Sequence, residues 1–174
     1  DTNGNYFSVT SNGIFHSSGR SISFLRDGQG RIERITDPDG QSLFYTYDGN
    51  GDLETFKDRE ENVSTYTYNT THGLTEIKYP RNITPIRNEY DAQGRLLSHT
   101  DAFGNVISYA HLLSQREEGV TDRENKATSY KYDARGNVTE STDALSHSTF
   151  YTHDEHDNKT SELLPGNSMP STYI

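Results

Sequence analysis

Cysteine and tryptophan are both absent from this chain of 174 residues. Without cysteine there is no disulfide and no thiolate metal site, although a secreted protein can lack the residue too, so the compartment does not follow. Apolar residues are scarce as well. Only 29% of the chain is hydrophobic and the mean hydropathy is −0.94, which is thin for a closed globule with a deep core. Basic residues are the minority charge, 16 Lys and Arg against 26 Asp and Glu, and they form no cluster. The resulting net charge of −10 argues against a nucleic-acid partner, whose phosphates require a basic footprint. No apolar run approaches the roughly 18 residues of a membrane span, and no window carries helical periodicity. No signal-peptide pattern is visible, and Asp1 as first residue reads as the start of a piece excised from a longer protein.

What the chain does have is regularity. Its 12 Tyr and 7 Phe are too plentiful and too evenly placed for a disordered segment. An Asp recurs every 21 residues, at Asp27, Asp48, Asn69, Asp91, Leu112, Asp133 and Asp154, with one extra residue near Pro85. A second series follows ten residues behind, at Asp37, Asp58, Asp101, Asp122 and Asp143, with Tyr79 in place of one Asp. Gly stands three residues after many of these, giving the structural turns Asp27–Gly30, Asp37–Gly40, Asp48–Gly51, Asp91–Gly94, Asp101–Gly104 and Asp133–Gly136, and the weaker Asp143–Ser146. Asp at the first position of a turn caps its own backbone and Gly at the fourth accepts a positive φ, the chemistry of a type I turn followed by a bulge.

Between turns lie stretches of six or seven residues rich in Thr, Tyr, Val and Ile, the composition and length of strands. The fold class expected is all-β: an antiparallel β-hairpin repeat array of about seven 21-residue units over residues 16–160, between an irregular N-terminal segment, 1–15, and an irregular tail, 161–174. Three ladders run across the units. Tyr45, Tyr66, Tyr109, Tyr130 and Tyr151 form the first, begun by Phe24; Ile32, Leu53, Leu74, Leu96 and Val138 the second; Ile35, Phe56, Ile77 and Val120 the third. The second and third lie five and eight residues after the turn Asp, a difference of odd parity. A regular strand therefore puts them on opposite faces unless a bulge intervenes.

Glu89-Tyr90-Asp91-Ala92-Gln93-Gly94-Arg95-Leu96, continued by Thr100-Asp101-Ala102-Phe103-Gly104-Asn105, resembles the YD repeat of the Rhs family, which includes bacterial Rhs toxins, wall-associated repeat proteins and the teneurin shell. The resemblance covers residues 16–160. It implies a spiralling sheet forming part of a β-shell, a non-enzymatic structural module of a secreted or cell-surface protein, bacterial in origin. In such proteins the shell encloses or presents a toxin or other cargo, or anchors an extracellular assembly. The implied partners are neighbouring repeats of the parent chain, an enclosed toxin domain and a second shell chain. The family's autoprocessing core carries an Asp-Pro motif, but Asp37-Pro38 here lies inside an ordinary repeat turn, so neither a protease core nor a toxin domain is expected.

A residue present in every copy reads as scaffold, so candidate chemistry lies where the pattern breaks. His153, His156 and Asp157 form the densest polar cluster; they are weak binding candidates, and a diverged turn is the plainer reading. Paired Asp residues could suggest glycosidase carboxylates, but a catalytic pair should be singular. Calcium is disfavoured because each turn offers one fixed Asp against the six or more oxygens the ion takes. Sequons at Asn62, Asn69, Asn82, Asn137 and Asn158 coincide with repeat positions. The expectation is therefore no catalytic residue, no metal and no cofactor. The alternatives are a surface module binding carbohydrate or protein through tyrosines and acidic turns and, less favoured, an enzyme built on Leu112–Gly119 or His153–Asp157. Unprotected sheet edges at residues 1–20 and 160–174 invite edge-to-edge self-association.

Overall fold

A computed structural model describes residues 4–173; residues 1–3 of the segment expected to be irregular, and residue 174 of the tail, lie outside the described residues. The chain divides into two compact units, Asp1–Arg87 and Asn88–Ile174, and both are all-β. The first contains β1 (Phe7–Thr10), β2 (Gly13–His16), β3 (Ser21–Arg26), β4 (Ile32–Thr36), β5 (Ser42–Tyr47), β6 (Leu53–Lys57), β7 (Val63–Tyr68) and β8 (Leu74–Tyr79). A 3₁₀ turn at Pro80–Asn82 leads to β9 (Ile83–Tyr90), within which the division falls. The second unit contains β10 (Leu96–Thr100), β11 (Val106–Leu112), a 3₁₀ turn at Leu113–Gln115, β12 (Glu117–Thr121), β13 (Ala127–Tyr132), β14 (Val138–Thr142), β15 (Ser148–His153), β16 (Lys159–Leu163) and the two-residue β17 (Ser171–Thr172). Consecutive strands pair antiparallel within each unit. The segment before the repeats thus carries a hairpin, β1–β2, and the tail carries β17.

The turns explain why strands begin and end where they do. Asp133 is typical. Its Oδ1 accepts the backbone N–H groups of Arg135 at 2.8 Å and Asn137 at 3.0 Å, its own N–H donates to the Asn137 carbonyl, and its carbonyl accepts the Gly136 N–H. One carboxylate thus occupies the amides that a tight turn leaves without strand partners. The same side-chain bonds recur at Asp27, Asp37, Asp48, Asp58, Asp91, Asp101, Asp122, Asp143 and Asp154. Asn69 makes them with an amide oxygen. At His16 the ring takes part of the role: Nδ1 accepts the Ser18 N–H. Where the fourth position is not glycine, Glu61, His72, Asn125, Ser146 and Asp157 still take positive φ, between 61° and 67°.

The parity conflict is resolved by bulges. Leu25 pairs with Arg34 and Arg26 with Ile32, leaving Glu33 as the extra residue. The same skip leaves out Glu54, Thr75, Thr139 and Thr160. Each extra residue flips the alternation once, so the ladders five and eight residues after the Asp share a face with the tyrosines. The tyrosines do not stack directly on one another, because they sit on every second strand. Each faces the third ladder instead: Phe24 opposes Ile35, Tyr45 Phe56, Tyr66 Ile77 and Tyr109 Val120. Tyr45 and Phe56 pack tilted with ring centroids 5.3 Å apart. Later in the chain the partners turn polar, Ser141 for Tyr130 and Glu162 for Tyr151. The opposite face carries Thr pairs, such as Thr46 with Thr55 at 2.7 Å. The extra residue near Pro85 is absorbed within β9, where Thr84 and Pro85 lie between the pairings Tyr79–Ile83 and Ile77–Ile86; a bulge tolerates a residue with no N–H.

No hydrophobic residue among those described is buried; Ser64, at 9% exposure, is the one buried polar side chain. The apolar stripe is therefore half-covered, and stability rests on strand pairing, cross-strand contacts and turns. Gly13 is a point of close approach: an added Cβ would lie 2.2 Å from the Ile22 carbonyl oxygen. Gly13→Ala should therefore lower stability by about 2 kcal/mol or more, read as a lower denaturation midpoint. Ser146→Gly should act in the opposite direction, by up to about 1 kcal/mol, because it relieves a left-handed non-glycine residue.

Candidate functional site

The most concentrated chemistry of the repeat lies along its turns, and its charge is spent locally. Burial works against ionisation of Asp133, but the backbone N–H groups of Asn137 and Arg135, the Asn137 amide and the Arg135 charge outweigh it and hold the carboxyl at about 2. Asp58, Asp101 and Asp154 are also lowered, chiefly by the side-chain amides of Asn62, Asn105 and Asn158. Asp91, Asp122 and Asp143 are lowered first by the backbone N–H four residues on. At Asp27 burial is the largest influence and is overcome by Arg31, whose Nε donates to Oδ2 at 2.8 Å.

A second set of contacts joins turns of successive repeats, and the repeat pattern alone did not single it out. Arg59 reaches back to Asp37 at 3.1 Å and Arg123 to Asp101 at 3.4 Å. Both arginines immediately follow a second-series Asp, so the signal was an Arg recurring beside that Asp. On the other series, His72 meets Asp52 at 2.8 Å, while Asp157 accepts from Asn137 Nδ2 at 2.7 Å and pairs with Arg135 at 3.0 Å. Tyrosines add a further tie: the Tyr47 hydroxyl donates to the Ile32 carbonyl at 2.8 Å, and the Arg31 guanidinium lies 4.2 Å from the Tyr47 ring centroid.

The structure gives the three weak binding candidates different jobs. His153 ends β15 opposite Lys159, and its Nδ1 is buried without a hydrogen-bond partner among the described residues. His156 projects from the turn with its ring 75% exposed and its backbone N–H bound to Asp154. Asp157 belongs to the stitch to Asn137 and Arg135. Among the described residues, no group of three or more His, Asp or Glu side chains could hold a metal ion. Of the ladder tyrosines, through which a surface module would bind carbohydrate or protein, Tyr45, Tyr66 and Tyr109 are half-buried in their cross-strand pairs. No described helix is long and apolar enough to cross a membrane.

The broken repeat over residues 110–121 closes in its own way. The 21-residue period puts Leu112 and Gln115 in the places of Asp and Gly, but the turn lies one residue later: Arg116, at φ 52°, donates to the Leu113 carbonyl. Leu112 then pairs with Glu117 in unbroken register. Within this hairpin His111 contacts Glu118, and it also reaches the Leu96 carbonyl of β10.

Comparison with known proteins gives a consistent picture. The teneurin YD-shell family model matches residues 1–122, and the RHS repeat model matches residues 116–148 and 132–168. No curated protein sequence matches the chain. Among solved structures, the fold is similar to that of the TcdB2–TccC3–Cdc42 crystal structure, with a TM-score of 0.57 at 16% identity over 87% of this chain. It is similar to the Photorhabdus luminescens Tc holotoxin pore carrying a TccC3 mutation, at 0.55, 13% and 91%, and to TcdB2–TccC3–TEV, at 0.55, 14% and 97%. The matched region spans 9% of the solved chain in the first case and 11% in each of the others.

The turn carboxylates set an acid limit. The pKa values of Asp27, Asp58, Asp91, Asp101, Asp122, Asp133, Asp143 and Asp154 are depressed in the folded state, so their contribution is fully present above the unfolded value of roughly 3.9 and is lost as pH falls through the folded values. The thermal midpoint should therefore drop between about pH 4 and about pH 2. Asp133→Asn should retain the turn, as Asn69 does, with a smaller acid-dependent drop. Asp133→Ala should lower the midpoint at neutral pH as well; equal midpoints for the two variants at pH 7 would contradict the assigned role of Oδ1.

Proposed function

Because this chain belongs to the teneurin YD-shell family, we propose that it is a non-enzymatic wall segment of a secreted or cell-surface bacterial protein whose shell encloses a toxin or other cargo. The observation that carries this reading is the use of the repeated polar groups. Each turn carboxylate or Asn69 amide is engaged by its own backbone, and Arg59, Arg123 and Arg135 tie one turn to that of a neighbouring repeat. A wall needs such self-satisfaction, because its units must adhere to one another and leave nothing that captures what they surround. An enzyme needs the reverse: convergent groups left free to meet a substrate.

The solved neighbours support the reading at the level of fold. They contain TccC3, with TcdB2 in the two crystal structures, in keeping with a wall built from more than one chain. The proposed partners are the adjoining repeats of the parent protein, the enclosed cargo and a second shell chain. Nothing in the turns or ladders favours a carbohydrate ligand over this arrangement.

The parent polypeptide provides the test. With this segment intact, limited proteolysis should leave the cargo region protected. With Asp48, Asp91 and Asp133 all changed to Ala, the same protease should reach it at least about tenfold faster, as expected if cleavage follows opening of the wall. Cleavage of the cargo at one rate in both proteins, with circular dichroism reporting loss of the β-signal in the triple variant alone, would sink the enclosure reading.

A further inference from the structure

The hairpin β11–β12 is a place where the repeat has lost its closing carboxylate, and another interaction stands within it. His111 occupies the position held in an ordinary unit by the second tyrosine. Tyr47 donates its hydroxyl to the carbonyl of Ile32, fifteen residues earlier, at 2.8 Å. His111 directs Nε2 at the carbonyl of Leu96, also fifteen residues earlier and also at 2.8 Å. The replacement keeps the bond and adds a second one, because Nδ1 lies 2.5 Å from Glu118 Oε2. The His111 side chain is 17% exposed.

These two partners fix the protonation state. A backbone carbonyl and a carboxylate oxygen can only accept, so a ring bonded to both must carry a proton on each nitrogen and is an imidazolium. A phenol in the same place donates one bond and does not titrate near neutrality. We propose that His111 is a pH-operated latch: protonated, it ties β10, β11 and β12 together across a hairpin that lacks an Asp turn, and on losing a proton it gives up one of the two ties. The device is independent of what the shell encloses.

The surroundings favour the closed state. From β12, Glu118 faces the ring; Tyr130 of β13 lies opposite Glu118, and Tyr109 shares the strand face of His111. Just before β10, Arg95 opposes the imidazolium charge, but it is engaged by Asp91 at 2.6 Å. Glu117 pairs across the strands with Lys131, and Arg116 lies in the turn. The His111 pKa is raised, first by the Leu96 carbonyl, against the effect of burial, and then by Glu118. A raised folded-state pKa means that the latch's contribution is fully present below the unfolded value of roughly 6.5 and is lost as pH rises through the folded value.

The test uses the full chain. An NMR titration of the His111 ring should give a midpoint above about 6.5. Amide exchange over residues 106–121, corrected for intrinsic rate, should show protection at about pH 5.5 that is lost by about pH 8.5. His111→Tyr restores the repeat's own residue; it should keep protection at both pH values and remove the step. Glu118→Gln should lower the midpoint. The proposal is overturned by a wild-type midpoint at or below the ordinary value, by wild-type protection that does not change with pH, by an unchanged midpoint in Glu118→Gln, or by a pH step that survives in His111→Tyr.

Discussion

A single side-chain oxygen accepting two backbone amides is the interaction on which this structure depends. Where Oδ1 of an Asp or Asn binds the N–H groups two and four residues ahead, the chain reverses within five residues. The fourth of these must then turn left-handed, which is why glycine or a tolerated substitute stands there. That reversal sets the strand register, and the register, through the extra residue five pairings repeat, brings the apolar residues to one face. The sheet follows from the turn, and not the turn from the sheet.

This order of causes accounts for a folded protein without a buried core. In an ordinary domain, apolar burial offsets the entropy of ordering the chain. Here no described hydrophobic residue is buried, so each hairpin must be stabilised largely by itself and its neighbours. Linear arrays work in this way: local stability plus nearest-neighbour terms, with little help from distance. The turn-to-turn arginines supply part of that neighbour term. They are exposed enough that each contributes little alone, and their value is in recurrence. The same logic makes the array electrostatically fragile, because ten of the side chains closing its hairpins are carboxylates.

The repeat period, both turn series and the fold class were legible in the sequence, because Asp, Gly and Tyr act at fixed offsets through local chemistry. Three features were harder to read. The bulges at Glu33, Glu54, Thr75, Thr139 and Thr160 carry no marker residue, being charged in two cases and Thr in three; only the parity conflict pointed to them. The tyrosines were legible as a series but not as pairs, since their direct partners lie in another ladder. The turn at residues 113–116 moved by one residue because, without an Asp to anchor it, pairing of Leu112 with Glu117 decided where the chain reversed. Of the polar cluster at 153–157, the sequence showed density but not direction, and direction separated its members.

Regularity also decides where chemistry beyond the wall can reside. A function placed in every copy would have to survive in units whose Asp, Gly or Tyr has drifted, and this chain shows such drift at Asn69, Glu61, Ser146 and His153 without loss of the hairpin. A function placed at one break is free of that constraint. Residues 106–121 are such a break: the Asp is gone, the strand is longer, and a titratable ring stands where a phenol would normally lie. Substituting imidazole for phenol alters neither the geometry of the carbonyl bond nor the strand that carries it. It changes what the bond depends on, from a donor that is constant near neutral pH to one that requires a proton. An array of interchangeable parts thereby gains a position that differs from the others in response while sharing their fold.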